Sequence, residues 1–142
     1  MAISKKFSLV CDDFRQENNG KFIIIGVYTP NMTVAQIPFV CPTLTFVFWL
    51  ESDRLGPFQF RAKLSHLESG AVITEMMGGV NFVQQSVGMA ALPFRSVPLS
   101  LPGTYTLALY FEGQPEPITM DFGVILMPPP MLAGRPLGFP QR

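Results

Sequence analysis

The densest set of ionisable side chains is Asp12, Asp13, Arg15 and Glu17, in the run CDDFRQE. On an extended strand Asp13, Arg15 and Glu17 point the same way, at i, i+2 and i+4. The Arg15 guanidinium then lies between two carboxylates and bridges them. Such a ladder can serve structure, because exposed charges discourage edge pairing and each exposed pair is worth under ~1 kcal/mol. It can also serve as a recognition strip for a partner. A calcium site on Asp12 and Asp13 would need about six to eight oxygens, and too few acids lie nearby. His66 is the only histidine. Parity sets it on the apolar face of its strand, and a strand-end histidine without a chemical role is the expectation. Cys11, Cys41 and His66 lack the ligand spacing of a zinc site. No Gly-x-Ser-x-Gly elbow, Gly-x-Gly-x-x-Gly loop or Walker pattern occurs. The expectation is a protein that is not an enzyme and takes no metal or cofactor.

Trp49 is the single tryptophan, beside three Tyr and thirteen Phe. Water-facing stacking platforms favour Tyr and Trp, so this balance reads as core filling. Trp49 falls on the second face of its strand and is read as an apolar contact.

The elements that position these groups are strands. Pro57 to Ser65 alternates Phe58, Phe60, Ala62 and Leu64 with Gln59, Arg61 and Lys63, as a strand with one wet face does. Thr104 to Glu112 and Ile118 to Leu126 repeat the device, the latter with Ile118, Met120, Phe122, Val124 and Leu126 inward. Thr43 to Glu51 is apolar on both faces, and Phe22 to Tyr28 is similar. Such strands are either central and covered or part of an interface. Ala71 to Met77 and Val80 to Ala91 are further candidates, with Gly78-Gly79 read as the turn between them, and a weak strand is expected at Met32 to Gln36. Asn19-Gly20 predicts a two-residue hairpin loop that puts Phe14 opposite Ile25. In Leu101-Pro102-Gly103-Thr104-Tyr105 the tyrosine is expected to bond back to the loop backbone at a sandwich corner. Eight or nine strands imply an all-β fold, a two-sheet antiparallel β-sandwich of immunoglobulin-like type.

Residues 1–126 form the expected sandwich and 127–142 a Pro-rich extended C-terminal arm with five of the fourteen prolines. Its Met131, Leu132, Leu137 and Phe139 are apolar, which leaves two readings: a frayed terminus, or an arm that docks in a groove of its own sandwich or of a neighbouring subunit. Formal net charge is zero, so nucleic-acid binding through a basic field is not expected. No apolar run reaches the ~18 residues of a membrane span. The apolar run after Lys5 and Lys6 is too short for a signal sequence, and a cytoplasmic location with reduced thiols is expected.

The opening LVCDDFRQENNGKFIIIGVY resembles that of a family of small uncharacterised bacterial proteins. The shared residues are Cys11, Asp12, Asp13, Arg15, Glu17, Gly20, Lys21, Gly26 and Tyr28, with a later Pro-Gly-x-Tyr at Pro102, Gly103 and Tyr105. The family is a domain of unknown function, so the resemblance implies a bacterial β-sandwich and no activity. With 48% hydrophobic and 14% charged residues, large apolar patches must remain at the surface. The favoured function is a non-catalytic interaction module that forms a homo-oligomer or binds another protein. The alternative is a small-ligand or carbohydrate-binding module near Trp49.

Overall fold

The computed structural model describes residues 2–28, 31–83 and 86–127. Nine strands run in chain order: β1 Ile3–Gln16, β2 Phe22–Tyr28, β3 Asn31–Val34, β4 Phe39–Ser52, β5 Gly56–His66, β6 Val72–Phe82, β7 Val87–Leu99, β8 Gly103–Phe111 and β9 Ile118–Leu126. They form a four-stranded sheet, β2-β1-β4-β7, and a five-stranded sheet, β3-β9-β8-β5-β6. No helix among the described residues is long and apolar enough to cross a membrane.

Alternating apolar residues fill the space between the sheets. Leu44, Phe46, Phe48 and Leu50 of β4 face Leu64, Tyr105, Leu107 and Leu109 of the other sheet in one core, all of them fully buried. Each such side chain contributes roughly 1.5–3 kcal/mol by leaving water. The outer face of β5 and β8 is wet, with Arg61 and Lys63 over the Tyr110 ring. The Tyr105 hydroxyl donates to the Leu101 carbonyl at 2.7 Å, the corner bond expected from the sequence.

Four expectations are corrected. The β1–β2 loop has three residues, not two: Glu17 N–H donates to the Lys21 carbonyl and Gly20 takes φ +85°. Phe14 therefore pairs with Ile24, and Asp13 with Ile25. A left-handed third loop residue suits this longer hairpin. Gly78-Gly79 is not a turn; β6 runs straight through it, with Gly78 opposite Phe60 and Gly79 opposite Gln59. The Phe60 ring lies where a Gly78 side chain would sit, so the glycine marks close approach within a strand. Third, β3 pairs parallel to β9, so the five-stranded sheet is mixed. Finally, Leu126 passes the end of the core and is exposed.

The feature that organises the surface is a bend in β1. Phe7 pairs with Trp49 of β4, and Gln16 pairs with Phe22 of β2. A straight strand would separate Phe7 from Gln16 by about 30 Å. Yet the Phe22 and Trp49 ring centroids are 5.8 Å apart. The hairpin tip beyond Cys11 must therefore fold back over the outer face of its own sheet. Val47, on that outer face, is fully buried as a result, and Arg95 of β7 comes close enough to act on Asp13.

Candidate functional site

The bend is held by polar contacts. Tyr28 Oη donates to Asp12 Oδ1 at 2.6 Å, and Thr45 Oγ1 donates to the Asp12 carbonyl at 3.4 Å. Gly26 takes φ +70°, and a side chain there would overlap the Asp12 carboxylate. Cys11 and Cys41 are buried free thiols whose sulfurs donate to the carbonyls of Asp13 and Thr43. Burial, reinforced by the Asp12 charge, raises both thiol pKa values. Burial and the bond to Asp12 also raise that of Tyr28. All three groups are held in their protonated, unreactive forms at neutral pH. The arrangement is a clasp.

Asp13 and Arg15 meet as expected, Arg15 Nε donating to Asp13 Oδ2 at 3.0 Å. That bond, with the Phe14 N–H, holds the Asp13 carboxyl below its usual range. Glu17 does not complete the ladder. It lies past the end of β1, in the turn, where its backbone pairs with Lys21, and among the described residues Arg15 has Asp13 as its ion-pair partner. Trp49 is half-buried, stacked on Phe7 at 4.2 Å and 13° and flanked by Phe22. Met131, Leu132, Leu137 and Phe139 lie outside the described residues.

His66 is buried beneath the corner. Ser69 N–H donates to Nδ1 at 3.2 Å, which puts the ring proton on Nε2, 2.9 Å from the Pro102 carbonyl. Both nitrogens are engaged in joining the β5–β6 turn to the loop before β8. Glu68 accepts from Thr104 N–H at 3.0 Å, which lowers its pKa. Among the described residues no group of three or more His, Cys, Asp or Glu side chains is placed to hold a metal.

Depressions also mark the surface of the described residues. A shallow one of about 610 Å³ lies at the β5–β8 end and includes Arg54, Phe58 and Glu112. A cleft of about 270 Å³ lies on the side where β1 and β2 face β9, between Leu9, Val10, Val27, Tyr28, Met120 and Phe122. On this side β1 and β9 approach each other without pairing, Lys5 Nζ donating to the Thr119 carbonyl at 2.8 Å and Gln114 bonding both backbone groups of Ile3. β2 pairs with β1 only from Val10 onward, and β3 pairs with β9 only from Gly123 onward. The stretches Ile3–Leu9 and Ile118–Phe122 therefore have no hydrogen-bonded strand on that side among the described residues. Phe7, Ile23, Ile25 and Val27, on the strands that flank this side, are exposed. Phe7 and Phe22 were not foreseen as partners of Trp49, because only the bend brings β2 to it. The Asp12–Tyr28 bond was also missed, although both residues belong to the opening motif.

A model described as "Family of unknown function (DUF6941)" matches residues 6–120, and the chain belongs to that family. No curated protein matches the chain. Among solved structures, the crystal structure of the C-terminal domain of wzt is similar at 12% identity and a TM-score of 0.39, over 89% of this chain and 74% of that one.

Proposed function

We propose that this chain is a non-catalytic interaction and assembly module of the bacterial cytoplasm that associates with further copies of itself. The observation that carries the reading is the strip Ile23, Ile25 and Val27 on β2, an edge strand with no charged residue and no proline between Phe22 and Tyr28. Soluble proteins blunt such edges with charge, proline or a cover, because unpaired backbone recruits other chains. In this chain the run Cys11 to Glu17 then serves by bending β1 and presenting this strip, with Asp13 and Arg15 at its margin. A carbohydrate site at Trp49 is less well supported, since Phe7 and Phe22 already occupy the surface around its ring.

The test is light scattering on the full chain and on Ile23→Lys/Ile25→Lys, at micromolar concentration. The reading expects a multimeric mass for the parent and a monomeric mass for the variant, with equal circular dichroism. A monomeric parent would remove it.

A further inference from the structure

We infer that the self-association is a twofold antiparallel pairing of β2 with β2 of a second copy, centred on Ile25, which joins the two four-stranded sheets into one. This rests on the assembly reading and names the register and symmetry of the contact.

Among the described residues β2 has one strand neighbour, β1. The Glu17 N–H donates to the Lys21 carbonyl, so these two residues form a hydrogen-bonded pair of the hairpin. From there the ladder alternates. Its register holds along the hairpin, with Arg15 opposite Ile23, Asp13 opposite Ile25 and Cys11 opposite Val27. The backbone groups of Ile23, Ile25 and Val27 therefore bond β1, and those of Phe22, Ile24 and Tyr28 point to the free edge. Gly26, left-handed at φ +70°, interrupts that outer row at one position.

The exposed side chains select the partner. Ile23, Ile25 and Val27 are each more than two-fifths exposed, and they are spaced evenly about Ile25. An antiparallel copy with Ile25 against Ile25 sets Ile23 against Val27 at both ends. All three apolar side chains of each copy then gain apolar cross-strand neighbours. In the same register Phe22 meets Tyr28 as a hydrogen-bonded pair, which uses the outward backbone groups. Other registers do worse. Pairing Ile23 with Ile25 brings Val27 against Lys21, and pairing Ile25 with Val27 leaves Ile23 beyond the end of the partner's strand.

Charge agrees with the register centred on Ile25. It carries Lys21 of each copy just past Tyr28 of the other, beside the cleft that Val27 and Tyr28 share with the exposed Asp121. Opposite charges thus approach at both ends of the pair. Asp13 and Arg15 lie one strand away on β1 and form a charged rim on each side of the apolar row. A contact of this kind uses the same patch on both copies and closes at two, so the assembly is a dimer.

The test uses three full-length variants at exposed positions: Ile25→Cys, Ile23→Cys and Val27→Cys. Residues opposite each other in a non-hydrogen-bonded antiparallel pair have Cα atoms about 4.5 Å apart, within reach of a disulfide. Under mild oxidation Ile25→Cys is expected to form a covalent dimer by itself. Ile23→Cys and Val27→Cys are expected to form one only when mixed with each other, and the parent none, because Cys11 and Cys41 are buried. Amide exchange of the parent is expected to slow at Ile24 and Tyr28 as concentration rises, while Ile23 and Ile25, already bonded to β1, stay unchanged. If a parent that is multimeric by light scattering lacks either result, the β2 pairing falls while the assembly reading stands. A monomeric parent overturns both.

Discussion

Tyr28 and Asp12 exchange a hydrogen bond across the corner at which β1 turns back on its sheet. A bond to a charged acceptor is worth about 1.5–3 kcal/mol, and Tyr28 is partly buried, so Tyr28→Phe is expected to lower unfolding free energy by about 1–2 kcal/mol in urea denaturation. A loss below a few tenths would show that the corner does not depend on this bond. Gly26→Ala should cost more, since it adds left-handed strain to overlap with Asp12. Glu68 offers a pH test. Its carboxylate accepts from Thr104 N–H and its folded pKa is lowered. The contribution is therefore present above the ordinary glutamate pKa and is lost as pH falls through the folded value. Glu68→Gln should narrow the gap in melting temperature between pH 7 and pH 3, and an unchanged gap would count against the assignment.

The hairpin of β1 and β2 is held to the outer face by Phe22 against Trp49 and by Trp49 against Phe7. Trp49→Ala should release it, raising amide exchange through Phe22–Tyr28 while β8 and β9 keep their protection. Equal protection in both proteins would mean that the hairpin needs no such anchor. The range of β9 was legible because period-2 alternation runs unbroken from Ile118 to Val124, and the Tyr105 corner because its turn chemistry is local. Gly78-Gly79 was misread since the Phe60 ring that takes the place of a Gly78 side chain comes from β5, out of sight of the local pattern. The Asn19-Gly20 register slipped by one residue, because the same dipeptide serves two- and three-residue loops. Burial of Trp49 and Val47 was legible only as a choice between a covered strand and an interface. The cover comes from a bend whose cause, the Asp12–Tyr28–Gly26 contact, spans two strands.

At the scale of the molecule, both thiols report on opening of the fold. Cys11 and Cys41 lie at 0% and 3% exposure on strands of the four-stranded sheet, and burial holds their pKa values up. A disulfide reagent at pH 8 therefore reaches them only when the sandwich opens, and labelling should be slow and accelerate in urea along with loss of circular dichroism. Assembly adds a concentration term, because anything that binds the native state alone stabilises it by mass action. If copies of the chain cover one another, a tenfold rise in protein concentration slows labelling and raises the melting temperature. Ile23→Lys/Ile25→Lys should abolish both dependences while leaving the dilute labelling rate nearly unchanged, since the two isoleucines are already exposed in a single chain. Labelling that is independent of concentration in the parent would mean that the β2 strip stays in water, and the lone sandwich would then be the whole native structure.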